Sequence, residues 1–326
     1  MRSLRLHGPR DLRLHEEPEP DPRPGEALVR VTGVGLCGSD RHWFLEGGIG
    51  DATLVRPLVL GHEFAGVVAA GPHEGTRVVL DPAVPCGRCA ACDAGDSHLC
   101  ASMRFAGHGS TDGAMRTFVA WPAQLAHPLP DSVSDEVAPL LEPLGVAVHA
   151  IELAGAVTGL RTGVFGCGPL GLLLVQALRA AGARVEIATD RIDHRLALAR
   201  AFGAERTASA GEAESPPLDV AFEAAGDDDA LADAIASVRP GGRVVLVGIP
   251  DGDTTRFTAS TARRKELALQ LCRRMRPADL ERAVGLAEAG AVELDPLVSA
   301  RYALDGWSEA FDDLVERRGA KVVLQP

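Results

Sequence analysis

Up to about residue 130 the apolar positions come in short β-branched runs at 27–31, 66–69 and 77–80, each closed by turn-forming residues. That pattern predicts a small region of short strands. Pro128-Leu129-Pro130-Asp131-Ser132 reads as a linker. Beyond it the period changes. A helix is expected over 135–154, disturbed at Glu142-Pro143, then a buried strand at 162–165 and an apolar helix to 181. A strand at 184–188 leads to Asp190, and a helix follows through Phe202. Next come a strand at 218–222, a helix over 230–238 and a strand at 243–247. Alternation of this kind predicts an α/β fold with a doubly wound parallel sheet. A helix at 280–289 and a strand at 321–324 close the chain, and that strand has the composition of the N-terminal ones. The reading is therefore two domains, 1–133 with 275–326 and 134–274.

A chain of 326 residues, 46% hydrophobic and 24% charged, can bury two cores. The net charge of −12 argues against nucleic-acid and anionic-membrane partners, and the basic runs Arg263-Arg264-Lys265 and Arg273-Arg274 are short and separated. The first residues lack the apolar run of a signal peptide. The longest apolar stretch, 170–178, contains Gln176 and meets Arg179. The expected location is the cytoplasm.

Seven cysteines could mean disulfides, but four stand as Cys86-x2-Cys89-x2-Cys92-x7-Cys100. Four thiolates on such short loops suit one tetrahedral zinc with no open position, a structural site. An iron–sulfur cluster is the alternative by ligand type. A second set is dispersed: Cys37-Gly38-Ser39-Asp40-Arg41-His42, Gly61-His62-Glu63 and Glu142-Pro143-Leu144. Thiolate, imidazole and carboxylate together are the ligand types of an open catalytic zinc, which lowers the pKa of a bound alcohol. Ser39 and His42 could carry the released proton to solvent. The third motif is Gly166-x-Gly168-Pro169-Leu170-Gly171, between strand and helix, with Asp190 closing the next strand 19 residues later. It is a dinucleotide fingerprint, in which Asp190 would bond a ribose diol and favour NAD over NADP, and Arg191 and Arg195 would soften that preference.

The order of these motifs resembles the zinc-containing medium-chain alcohol dehydrogenases, and within them the polyol branch of sorbitol, xylitol and L-idonate dehydrogenases. The likeness also runs through 47–51, 57–63, 141–149, 239–248 and 295–298. It implies a GroES-like catalytic domain interrupted by a Rossmann domain, with the active site in the cleft between them. It further implies two zinc ions per chain. Cys37 and His62 match catalytic zinc ligands, and the third ligand is Glu63 or Glu142, alternating or acting through water. Ser39 and His42 match the proton relay. The resemblance implies an enzyme that moves hydride from a secondary alcohol to NAD, with small-molecule alcohol and ketone as partners. Alternatives are an NADPH-linked ketone reductase, a threonine-dehydrogenase-like enzyme and a non-catalytic sensor. A homo-oligomer is implied, a tetramer ahead of a dimer. Three departures stand out. Cys167 occupies a fingerprint position often filled by Ala, and Arg273-Arg274-Met275 replaces Phe-Arg-Tyr. Trp43-Phe44 stands where polyol enzymes carry Tyr, which makes the substrate wall more apolar and removes a phenol.

Overall fold

The short β-branched runs of the first region pair antiparallel, as hairpin-connected strands with one buried face do. The computed structural model describes residues 1–326, the side chain of Asp253 excepted. One compact unit comprises Met1–Glu142, Arg276–Glu288 and Val298–Pro326, and the other Pro143–Met275 with Ala289–Leu297.

In the first unit the main sheet runs in the order Ala126–Pro128, Arg77–Leu80, Glu63–Ala70, Glu26–Gly35, Lys321–Gln325 and Val298–Ala303, with Phe118–Pro122 also pairing to Glu26–Gly35. The C-terminal strand thus sits beside Glu26–Gly35, in register Val323 with Gly35. The core beneath holds Leu4, Leu6, Val29, Trp43, Phe64, Trp121, Phe311 and Leu324.

In the second unit six parallel strands stand in the order Thr207–Ser209, Arg184–Asp190, Arg161–Phe165, Leu218–Glu223, Val238–Leu246 and Ala268–Leu271. The first strand of the unit is central and the chain winds out from it in both directions, the doubly wound order. Phe165, Ile187, Leu218, Leu231 and Val244 belong to its core. Among the described residues no helix is long and apolar enough to cross a membrane.

The helix expected from residue 135 starts later. Ala138–Leu140 is a single 3₁₀ turn and the α-helix is Leu141–Ala154. Pro143 falls in its first turn, where a missing N–H removes a donor that has no partner inside the helix. The proline therefore starts this helix instead of disturbing it, and the two units change over at the same step, Glu142 to Pro143. The strand Ala268–Leu271 and the helix Trp307–Val315 have no counterpart in the sequence reading.

Candidate active site

Strand register assembles the site. Glu63 opens Glu63–Ala70 and pairs with Gly35 at the end of Glu26–Gly35, and Cys37 follows two residues on. Gly35 has no side chain, and a Cβ there would collide with the Glu63 carboxylate. Across that gap Lys321 reaches Glu63 from the next strand. Its Nζ donates to Glu63 Oε1 at 2.8 Å, to Oε2 at 2.5 Å and to the Leu36 carbonyl at 3.0 Å. Lysine and glutamate are 2% and 1% exposed, a fully desolvated pair. Burial works against the ammonium, yet the surrounding charges of Glu63 and Cys37 raise the Lys321 pKa.

Cys37, His62 and Glu63 each bring one ligand atom to within 4.8 Å of the others. Asp40 braces the arrangement from below. One of its oxygens accepts the Cys37 backbone N–H at 2.9 Å and the other the Gly61 N–H at 3.3 Å, so a single carboxylate links the two ligand-bearing segments. Glu142 is buried at the start of Leu141–Ala154, close enough for His62, Glu63 and Cys37 to act on its charge. Burial, with the neighbouring Glu63 charge, pushes the Cys37 thiol up to about 12, and burial pushes Glu142 up to about 8. Thiolate and carboxylates held together in this space ask for more positive charge than Lys321 provides. A divalent cation with a preference for sulfur and nitrogen supplies it, so the donor set fits zinc.

Ser39 lies in the first turn of the helix Gly38–Glu46, where its side chain hydrogen-bonds the Cys37 sulfur and works against the upward shift. His42 is one turn further along and buried. Its Nδ1 meets Glu46 Oε1 at 3.0 Å, and that glutamate is 50% exposed. Phe105 covers the other side of His62, with ring centroids 5.3 Å apart.

Cys86, Cys89, Cys92 and Cys100 form a separate group with ligand atoms within 4.8 Å of one another. The short helix Ala90–Asp93 and the turn Ser97–Leu99 fold the segment back on itself. Hydrogen bonds from Cys92, its backbone first, hold the Cys89 thiol down to about 6. Four converging sulfurs fit a tetrahedral zinc with every position filled by protein.

In the second unit the fingerprint turn joins Arg161–Phe165 to the helix Pro169–Ala180. Gly166 has φ of 103°, and a Cβ there would strike the Ala224–Ala225 backbone. A Cβ on Gly171 would strike the Gly166 carbonyl, so the glycines let helix, turn and neighbouring strand close up. Gly168 is the N-cap, Pro169 and Leu170 enter the first turn, and the free N–H groups there suit a pyrophosphate. Asp190 ends its strand, accepting the Cys167 N–H at 2.7 Å and the Ile192 N–H at 2.9 Å. Arg191 pairs with Asp227 at 3.3 Å and Asp229 at 3.6 Å. The nearest atom to a Cβ placed on Gly168 is Arg195 Nη1 at 3.9 Å. Arg273 and Arg274 follow the outer strand Ala268–Leu271.

Sequence reasoning missed Lys321, Asp40 and Phe105. Lys321 carried a signal, a lone charge opening the apolar run Lys321-Val-Val-Leu324 in a strand that turns out to be buried.

A dinucleotide-type sheet linked in one chain to a buried thiol–imidazole–carboxylate cluster defines a metal-dependent oxidoreductase. Residues 23–131 match the alcohol dehydrogenase GroES-like domain, and residues 169–289 match the zinc-binding dehydrogenase domain. Sorbitol dehydrogenase of Bacillus subtilis (strain 168) is 31% identical, with 100% of this chain and 97% of that protein covered. The crystal structure of L-idonate 5-dehydrogenase from Escherichia coli K-12 has a TM-score of 0.94 at 29% identity, covering 100% and 98% of the two chains. A putative zinc-binding dehydrogenase from Sinorhizobium meliloti 1021, solved bound to NADP, has a TM-score of 0.90 at 28% identity and covers 100% and 99%. The chain belongs to the zinc-containing medium-chain alcohol dehydrogenase family. It is a zinc-dependent, nicotinamide-linked dehydrogenase of GroES-like and Rossmann architecture.

Proposed function

We propose that the chain oxidises a secondary carbinol of a polyol, cyclitol or sugar alcohol to the ketone and passes the hydride to NAD. The carrying observation is the cluster of half-buried Cys37 with buried His62 and Glu63, with Glu142 beside it, in a chain similar over its full length to a sorbitol dehydrogenase. A bound zinc supplies a Lewis acid that brings an alcohol oxygen's pKa towards neutrality, and bound NAD supplies the hydride acceptor.

Cys37, His62 and Glu63 would hold the ion, with Glu142 the second carboxylate beside them. Ser39 takes the carbinol proton and passes it to His42, whose hydrogen bond to the half-exposed Glu46 leads it to solvent. Gly166, Gly168, Pro169, Leu170 and Gly171 cradle the pyrophosphate. Asp190 takes the adenosine ribose diol and repels a 2′-phosphate, while Asp227 and Asp229 hold Arg191, which supports NAD as the preferred cofactor. Arg195 lines the same turn. Cys86, Cys89, Cys92 and Cys100 hold a second, structural zinc. The family resemblance alone supports a cytoplasmic homo-tetramer, which sedimentation velocity checks.

The test is NADH formation across a panel of polyols, cyclitols and simple secondary alcohols, with the reverse reaction on the matching ketones. Polyol turnover with NAD is expected. No turnover of any member in either direction, with either cofactor, overturns the reading.

A further inference from the structure

The helix Gly38–Glu46 that follows Cys37 carries two adjacent aromatic side chains, Trp43 and Phe44, whose place the sequence leaves open. The structure shows where the two rings go. Phe44 turns into the core, its ring 4.8 Å from Phe311, and Trp43 is 2% exposed. The edge of Trp43 meets the imidazole of His108, with ring centroids 5.5 Å apart and planes at 86°. His108 also stands at right angles to Phe105, at 6.4 Å, and Phe105 packs on His62 at 5.3 Å. One wall therefore runs from the metal-site imidazole through an aromatic ring to a second imidazole. That imidazole is only partly buried, whereas Trp43 behind it is closed off from solvent.

The segment carrying His108 is held by its backbone against the residues that precede His62. His108 and Thr111 bridge each other across a tight turn, with Thr111 N–H donating to the His108 carbonyl at 3.1 Å. Gly113, Ala114 and Met115 donate to the carbonyls of Val59, Gly61 and Leu60 at 2.7, 2.9 and 3.0 Å, immediately before His62. Gly107 and Gly113 make this approach possible, since a Cβ at either would run into the Leu60–Gly61 backbone. The Asp112 carboxylate adds a bond from the Val59 N–H at 3.2 Å. The turn that follows Phe105 is thus fixed to the segment Val59–Gly61 that leads directly into His62. A side chain on such a platform keeps its position without substrate, as a recognition group must.

We infer that His108 is a specificity-determining residue of this dehydrogenase: its imidazole hydrogen-bonds a substrate hydroxyl next to the carbinol being oxidised. The inference rests on the polyol reading above. From the loop side of the wall, His108 adds a group that can accept as well as donate, where the Trp43 indole can only donate. An imidazole both donates and accepts, so it suits a vicinal hydroxyl, whereas a simple secondary alcohol offers it nothing. A site that pairs with a substrate hydroxyl discriminates strongly against an analogue lacking it.

The experiment compares sorbitol and xylitol with 2-butanol in the zinc-loaded enzyme, for the wild type, His108→Phe and His108→Gln. Phenylalanine keeps the ring packing on Trp43 and Phe105 but removes both nitrogens; glutamine keeps a donor and an acceptor. In His108→Phe, kcat/KM for the polyol is expected to fall about tenfold or more, chiefly through KM. The 2-butanol value stays within about twofold, and His108→Gln recovers part of the polyol activity. Equal reductions on polyol and 2-butanol would show His108 to be a packing residue and overturn the inference. So would an unchanged polyol-to-2-butanol ratio in a variant that stays folded and zinc-loaded. A wild type that oxidises 2-butanol but neither polyol removes the polyol reading and this inference together. A wild type active on polyols with an unmoved ratio removes the inference alone.

Discussion

Two clusters of the first unit carry metal-ligand side chains and are built in opposite ways. Cys86, Cys89, Cys92 and Cys100 come from fifteen consecutive residues, and hydrogen bonds within the segment already stabilise one thiolate. Cys37, His62, Glu63 and Glu142 come from distant segments brought together by strand register. They are forced into a space where burial drives the Cys37 thiol and the Glu142 carboxyl towards their protonated forms. The first cluster closes on itself, so its four sulfurs would fill every position of a bound ion and leave none for substrate. The second is assembled against the preferences of its own side chains and needs Lys321 as a resident counter-charge. A site that tertiary structure imposes can keep an open position and can be tuned. A site that local spacing builds mainly holds a lobe in shape.

The sharpest way to break this comparison is to remove one sulfur from each cluster. Cys37→Ala is expected to lower kcat/KM by at least about a thousandfold with the fold retained. Cys92→Ala is expected to lower the melting temperature more than the turnover of the molecules still folded. Similar kinetic and thermal profiles for the two variants would erase the distinction.

Next in size is the buried ion pair. Lys321→Met leaves Glu63 charged and unpartnered in the metal-free protein, which costs about 3–5 kcal/mol in a urea or guanidinium titration. Zinc should recover part of that stability, because the ion takes over as counter-charge. A variant as stable as wild type would mean that Lys321 does not balance the cluster.

The pH dependence of zinc uptake follows in size. Binding must displace the Cys37 proton throughout the neutral range, and the Glu142 proton as well below about 8. Affinity at the open site is therefore expected to rise by about one to two powers of ten per pH unit across the neutral range. Chelator competition at several pH values measures it, and a flat profile contradicts the assignment of Cys37 as a ligand. The smallest effect concerns the second unit. Asp190→Ala should raise the ratio of NADP to NAD activity by about tenfold, and an unmoved ratio would mean that Asp190 does not contact the ribose.

The legible parts of this molecule are those whose cause is local. The four-cysteine spacing, the glycine fingerprint and the strand–helix period each carry their reason within a short stretch of chain, and each appears as an element or cluster. Pro143 misleads because a proline inside an apolar run looks like a break; that it lies in a first turn depends on where the 3₁₀ turn before it ends. Asp40 and Lys321 act across strands whose pairing no local pattern specifies, and Lys321 is 258 residues from its partner Glu63. Phe105 ends the two-residue strand Arg104–Phe105 and His108 lies in the glycine-rich turn beyond it, where sequence gives composition but no direction for a side chain.

Graded removal of zinc, with metal content and NADH formation followed together, tests the central claim most directly. Two zinc ions per chain are expected at the start. Turnover should vanish as the ion of the open site leaves while the melting temperature and circular dichroism hold, and the lobe should come apart only when the four-cysteine ion goes. Turnover that persists after the open-site ion leaves, or a chain that never held more than one, would contradict the division into an open catalytic site and a closed structural one.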